Sequence, residues 1–330
     1  MSRVANFNED NFNENNLTDK TEDKEIKDIG LESPKDPKEG ETKNILIRLS
    51  ESNALLYIFI IAFVLFIITR SIIFAIITGF SFIGYYIVDI LVGIKQRGVI
   101  QEIKSIVIAV VIALIVWFGL IFILNTSSPI SAIYSCSLLP RFERGDMIIL
   151  QGVKASDIKA PEVELTPEEF STIWGKVHVP CNTTGVITYV CSQCVRISSS
   201  TKKPIGFSQC AREILVNSSK GISIIDENFS NDVIVYSATY VNGRPYGGDI
   251  IHRAFAKIIV RDENGTHYFL LTKGDNNDLF DASVFNIVRE QDIKGRVLLR
   301  IPWIGYLKLF ISGSYIDPEG CEKIYEHNIR

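Results

Sequence analysis

The sequence predicts a mainly β domain anchored by N-terminal transmembrane α-helices. Apolar residues make up 47% of the chain, but they crowd between Asn53 and Leu124, so the average describes neither half. Beyond Leu124 the pattern changes to short β-branched and aromatic runs at 147–150, 233–236, 250–255, 268–271 and 297–301, separated by Gly, Asn and Asp. Runs bounded in this way read as strands, and Asn242-Gly243 and Asn264-Gly265 read as tight turns. No long helical period follows Leu124. The outer domain is therefore expected to be a partly closed, coiled β-sheet rather than an alternating βαβ layout. The net charge of −4 gives no bulk attraction to nucleic acid, which is not expected as a partner.

Residues 1–50 are rich in Asn, Glu, Asp and Lys and almost free of aromatics. Such a segment cannot bury enough apolar surface to offset its ordering, so it reads as a disordered polar tail. A cleaved secretory signal would start basic and turn apolar quickly, which this lead does not do.

Residues 51–124 read as the membrane region, with apolar runs at 54–69, 72–94 and 106–124. A span needs roughly 20 apolar residues, with about 17 the lower limit. The second and third runs qualify; the first is short and would need local thinning of the bilayer. About three helices are expected, the first two joined by a turn at Arg70-Ser71. The lipid bilayer is thus one partner. Lys43 and Arg48 precede the first run, and Lys95, Arg97 and Lys104 lie between the second and third. The positive-inside rule puts both groups in the cytoplasm, and everything past Leu124 then lies outside the cell membrane. Sequons at Asn125, Asn182, Asn217, Asn228 and Asn264 give weak support, because Asn16 carries one too.

Cys181, Cys191, Cys194 and Cys210 cluster in one stretch. Outside the membrane disulfides are favoured. The Cys191-Ser-Gln-Cys194 spacing leaves a zinc site as the rival, and His178 could join it or be a lone surface histidine. The pairing is not readable from the sequence.

The chemistry centres on Ser135-Cys136-Ser137-Leu138-Leu139-Pro140, followed by Gly145-Asp146. Two serines two apart in an extended chain point to one side. A serine there could be a nucleophile, given a base. Ile250-Ile251-His252-Arg253 offers a base, and Thr272-Lys273-Gly274-Asp275-Asn276-Asn277-Asp278-Leu279-Phe280-Asp281 offers an orienting acid. Asp275 and Asp278 also sit where turn acids commonly serve only as caps. Lys257 and Lys273 are alternative bases. An ordinary lysine, near 10.4, must be desolvated to lose its proton, whereas histidine, near 6.5, is already mostly neutral at pH 7.

Together with Asn231-Asp232-Val233-Ile234-Val235-Tyr236 and Ile301-Pro302-Trp303-Ile304-Gly305-Tyr306, these stretches resemble signal peptidase I of the archaeal and endoplasmic-reticulum type. The resemblance covers roughly 125–310, with motif order and spacing both right. Leu138 stands where the family has Met, and Asn231 where it has Gly. Residues 161–230, holding the cysteine cluster, read as an inserted subdomain within the catalytic domain, and 311–330 as a C-terminal tail.

The resemblance implies a serine endopeptidase, needing neither cofactor nor metal, that cleaves signal peptides from secretory preproteins. Ser137 would be the nucleophile and His252 the base. Asp281, or less well Asp275, would orient the imidazole. The Ser137 amide and the Ser135 hydroxyl would stabilise the oxyanion, each donor being worth about 3–4 kcal/mol of barrier. A dozen residues from Leu124 to Ser137 reach at most roughly 40 Å, so the nucleophile must lie near the outer membrane face. The rival readings are a catalytically silent, membrane-anchored binding subunit of the same fold and a self-cleaving, repressor-like Ser-Lys protease. The membrane runs argue against the second.

Overall fold

A computed structural model describes residues 45–69, 71–178, 181, 185–318 and 320–328. Most of the polar tail, Lys43, Arg70 at the expected turn and the Asn182 sequon lie outside the described residues. Residues 47–330 form one compact unit.

The described residues open on a short helix, Ile45–Glu51, which meets at a bend of 54° the first of three apolar helices: α1 (Ala54–Thr69), α2 (Ile72–Arg97) and α3 (Val99–Leu124). Phe59, Phe63 and Phe82 pack α1 against α2. Helix α3 buries almost none of its apolar surface against the protein. Among the described residues two helices are long and apolar enough to cross a membrane, or three if a bent pair counts as one span. Alone, the 16 residues of α1 rise only about 24 Å, short of a hydrocarbon core of about 30 Å.

The domain after Leu124 is built on two sheets. The first contains β1 (Ile130–Ala132), β2 (Met147–Gln151), β3 (Glu162–Leu165), β7 (Val233–Thr239), β8 (Pro245–Asp262), β9 (Gly265–Lys273), β10 (Val288–Arg289) and β11 (Ile293–Ile301). Its order is β1-β2-β11-β7-β8-β9-β10, with β3 parallel to β8. Strand β8 is long enough to serve two partners on one side: β7 along 245–253 and β3 along 257–260. The second sheet has the order β12-β4-β5-β6, from β4 (Ile187–Ser198), β5 (Pro204–Ser218), β6 (Gly221–Asp226) and β12 (Lys323–Tyr325). Thus the stretch from 161 contributes β3 to the first sheet and β4–β6 to the second, and the chain's end supplies the fourth strand of the second. Short α4 (Pro167–Ile173), capped reciprocally by Thr166 and Glu169, leads from one sheet to the other.

The sheets share a core in which Val163, Leu165 and Ile258 of the first meet Tyr189, Ile214 and Val216 of the second. All six cysteines are paired, as Cys136–Cys321, Cys181–Cys191 and Cys194–Cys210. The first pairing joins residues 185 apart and was not legible in the sequence. His178 is buried, within hydrogen-bond reach of the Tyr189 hydroxyl and the Ile173 carbonyl, and burial pushes its pKa down. It is thus neither a surface histidine nor, among the described residues, part of a metal-holding cluster.

Helix α5 (Gly305–Ile311) ties this domain to the membrane helices. Its Tyr306 is buried and meets Phe66 of α1 edge-on, with ring centroids 6.3 Å apart. The same ring presses on Gly145, which has φ +87; a Cβ there would come within 2.1 Å of it. A side chain at Gly145 would combine left-handed backbone strain with overpacking. Gly145→Ala is expected to destabilise the protein by roughly 2–4 kcal/mol on those two terms. Thermal melting of the protein in detergent checks this, and an unchanged midpoint would contradict the packing described.

Candidate active site

The serine segment lies on a turn rather than in a strand. After β1 the chain bends at Ser135 and turns through 137–140, with Leu139 N–H donating to the Cys136 carbonyl at 3.3 Å and Phe142 N–H to that of Leu138 at 3.2 Å. Leu138 is 1% exposed and plugs the turn into the core. The turn still brings the two hydroxyls together: Ser135 Oγ and Ser137 Oγ are 3.1 Å apart. Cys136, between them, is buried and disulfide-bonded to Cys321.

His252 lies on β8 opposite Ile234 of β7, and Tyr236 lies opposite Ile250. Thr272 of β9 lies opposite Ala254. Paired residues share a face and the side-chain period along a strand is two, so His252, Tyr236 and Thr272 all point to one side of the sheet. Asp281 comes down on that side from the 3-10 turn Asp281–Ser283. His252 Nδ1 lies 2.8 Å from both Asp281 carboxylate oxygens. An ionised carboxylate only accepts, so Nδ1–H is the donor, and in the neutral ring Nε2 then holds the lone pair. The Tyr236 hydroxyl also donates to Asp281, at 2.8 Å, and is 3.0 Å from Thr272 Oγ1. Burial, reinforced by the Asp281 charge, pushes the Tyr236 hydroxyl well above its ordinary pKa, so it stays a donor. In the sequence Tyr236 lies within a motif without any mark of a role. Its place on the His252 face of β7 is the signal that could have found it.

Arg253 points to the opposite side and meets the other acid. Its Nε and Nη2 donate to the two Asp275 oxygens at 2.8 and 2.7 Å, and its Nη1 donates to the carbonyls of Phe229 and Asn231. Asp275 is 1% exposed. The two acids thus have different partners: Asp281 faces His252, and Asp275 faces Arg253. Between them the loop grips the serine turn. Asn276 N–H donates to the Ser137 carbonyl at 2.7 Å, and Asn276 Nδ2 donates to the Cys136 carbonyl at 3.2 Å. Gly274 permits this approach, since a Cβ there would sit 2.8 Å from the Ser137 carbonyl oxygen.

The alternative lysines are engaged elsewhere. Lys257 Nζ donates to the Ser156 carbonyl and to Glu162 at 2.7 and 3.0 Å. Lys273 Nζ pairs with Glu227 at 3.1 Å. Burial alone would raise the Glu227 pKa, but hydrogen bonds and charges from His327 and Lys273 outweigh it and hold the carboxyl at about 2.

Ser135, Ser137, His252 and Asp281 line one cavity of about 660 Å³, which Ala132, Tyr134 and Asp249 extend along the ends of β1 and β8. No hydrogen bond joins Ser137 to His252 in this structure. Such contacts are often loose before substrate is bound.

Removing the Asp275 charge would strand a buried Arg253. Asp275→Asn is expected to cost roughly 3–5 kcal/mol of stability, as for a buried pair losing one partner. Asp281→Asn keeps a polar group against His252 and Tyr236 and should cost only about 1–3 kcal/mol. Melting curves of the two variants in detergent check this, and an Asp275→Asn protein as stable as the parent would contradict it.

No family model matches the chain. It is similar to the signal peptidase complex catalytic subunit SEC11 of Leptosphaeria maculans, at 23% identity over 227 residues, covering 67% of this chain and 84% of the relative. The SEC11 catalytic subunit of Komagataella phaffii is 29% identical over 134 residues, covering 39% of this chain and 71% of that protein. The SEC11C subunit of Homo sapiens is 32% identical over 69 residues, covering 21% of this chain and 36% of that protein. In its ordered motifs, and in a β architecture with apolar N-terminal helices, the chain is similar to catalytic subunits of the endoplasmic-reticulum type of signal peptidase I.

Proposed function

We propose that this protein is a membrane-anchored serine endopeptidase that removes signal peptides from secretory preproteins at the outer face of the membrane. The observation that carries the reading is His252 held by Asp281 in one cleft with Ser137. The domain after Leu124 is read as extracytoplasmic on a multi-pass anchor in the cell membrane. Three paired disulfides fit an oxidising compartment.

The chemistry follows from the geometry. His252 Nε2 takes the Ser137 hydroxyl proton as Oγ attacks the scissile carbonyl. Asp281 holds the Nδ1–H tautomer and stabilises the imidazolium that forms. The carbonyl oxygen becomes an oxyanion, met by the Ser137 amide and the Ser135 hydroxyl, whose Oγ already lies 3.1 Å from Ser137 Oγ. His252 then passes its proton to the leaving amine, and the signal segment remains esterified to Ser137. Water, deprotonated by His252, hydrolyses that ester. Tyr236, backed by Thr272, holds Asp281 in place, and Asp275 acts through Arg253 as a structural clamp. The relatives are named as catalytic subunits of a complex, so further subunits are expected partners here.

Detergent-purified protein incubated with a preprotein tests this directly. The parent should release the mature fragment. Ser137→Ala and His252→Ala should each lose about 10⁶-fold in rate while remaining folded, and Asp281→Asn about 10⁴-fold. Lys257→Ala should still cleave. A parent protein that binds preprotein without cleaving it would favour the silent binding subunit, and a folded, active His252→Ala would show that another group is the base.

A further inference from the structure

Residues 161–230 carry none of the candidate catalytic groups, yet one of their side chains reaches the catalytic loop. Arg196 lies on β4 of the second sheet, and its side chain is 14% exposed. Its Nη1 donates to Asn276 Oδ1 at 2.9 Å, and Nη1 and Nη2 both reach the Asn276 carbonyl at 3.3 Å. Nη2 also donates to Asp278 Oδ1 at 2.7 Å, and Nε to Ser208 Oγ at 3.3 Å. Tyr325 of β12 lies opposite Arg196 in the sheet, and the guanidinium carbon stands 3.6 Å from its ring centroid. Every nitrogen of the guanidinium is thus engaged within the protein. Arg196 lines the cleft with Ser137 and His252, but its donors are directed at the loop.

The Asn276 carboxamide is used in full. Oδ1 accepts from Arg196, and Nδ2 donates to the carbonyls of Cys136 at 3.2 Å and Lys323 at 2.8 Å. Only one orientation of that amide works. Turned over, it would set its NH2 against the guanidinium donors and its oxygen against two carbonyls. Arg196 therefore decides which way Asn276 faces, and with it the bond to the Cys136 carbonyl. The Asn276 N–H holds the next carbonyl, that of Ser137, at 2.7 Å. These contacts close a ring. Cys136–Cys321 leads from the serine turn towards β12, β12 pairs with β4, Arg196 of β4 grips Asn276, and Asn276 grips two carbonyls of the serine turn.

We propose that Arg196 is a positioning residue for the Ser137 nucleophile, acting through Asn276, and that the second sheet is thereby a working part of the active site. The proposal rests on the endopeptidase reading above. With the amide unclamped, the serine turn keeps its fold but loses its fixed distance to His252. The loss then falls on the chemical step rather than on substrate binding.

Steady-state cleavage of a preprotein tests this, with melting curves to show that each variant is folded. Arg196→Met keeps an apolar stem beside Tyr325 and removes every donor. It should lower kcat about 10²-fold, the cost of a misplacement of about 1 Å, with KM within about twofold of the parent. Arg196→Lys keeps the charge over Tyr325 but offers one ammonium in place of a fork, and should lose about tenfold. It serves as the readout if Arg196→Met does not fold. Asn276→Ala should also lower kcat, and the loss in the double variant should fall well short of the product of the two single losses, as for residues acting through one contact. Parent kcat in a folded Arg196→Lys or Arg196→Met protein, a loss confined to KM, or a full product of losses in the double variant would overturn the proposal.

A second arm separates this result from failure of the endopeptidase reading. Hydrogen exchange is followed by mass spectrometry in the Ser137→Ala protein, with and without Arg196→Met or Arg196→Lys. The amides of Leu139 and Phe142 are hydrogen-bonded within the serine turn, and that of Asn276 is bonded to it. Peptides covering 136–142 and 274–278 should exchange about tenfold faster once Arg196 is replaced, while β2 at 147–151 keeps its protection. Such a change supports the hold of Arg196 on the turn even if the parent cleaves nothing, in which case only the endopeptidase reading fails. Unchanged exchange in both peptides overturns the proposal even if the parent cleaves well.

Discussion

The buried pair between Arg253 and Asp275 is the contact on which the site depends. It fixes the loop that follows β9 to the strand that carries His252, one residue away from it. From that fixed point the loop reaches in two directions. Asn276 holds the backbone of the serine turn, and Asp281 closes on His252 from the other side of the sheet. One loop therefore sets the relative positions of all three candidate catalytic groups. Two desolvated charges are expensive, and such a pair holds only because its geometry is bidentate and the spare guanidinium hydrogens reach the Phe229 and Asn231 carbonyls. Such a cost is sensible where sub-ångström placement matters more than stability.

The alternation of a β-strand does the sorting. His252 and Arg253 are neighbours in sequence and face opposite sides, so one carries chemistry and the other carries structure. The same period puts Tyr236 and Thr272 behind Asp281. The Tyr236 hydroxyl, with Thr272 Oγ1 3.0 Å behind it, fills an acceptor position of a carboxylate that would otherwise be free to turn away from the imidazole.

Much of this was legible in the chain because the motifs are local. The strand runs at 147–150, 233–236 and 268–271, the loop from Thr272 to Asp281, and the turn residue Gly145 each declare themselves within a few residues. Two serines two apart point to one side of an extended chain; here a turn pinned by Leu138 and Asn276 brings Ser135 and Ser137 together instead. What stayed hidden is non-local. Asp275 and Asp281 look alike in the sequence, and only the register of β8 against β9 gives one to Arg253 and the other to His252. The Cys136–Cys321 pairing joins two segments with no signal between them, and β12 was read as part of a tail because three residues carry no period. His178 was weighed as a surface group because its burial depends on how α4 and β4 pack, which no local pattern shows.

The second sheet adds a fixed wall beside Ser137, and the first sheet supplies the rest of the cleft. Both converge on a single serine, and the account stands or falls on whether that serine bonds to substrate. Rapid acid quench of the protein during turnover of a preprotein peptide, followed by peptide-mapping mass spectrometry, reads this directly. The account predicts the signal-side fragment as an ester on Ser137, absent from Ser137→Ala and from His252→Ala. Turnover with no such ester at any quench time, or an ester on another residue, would contradict it.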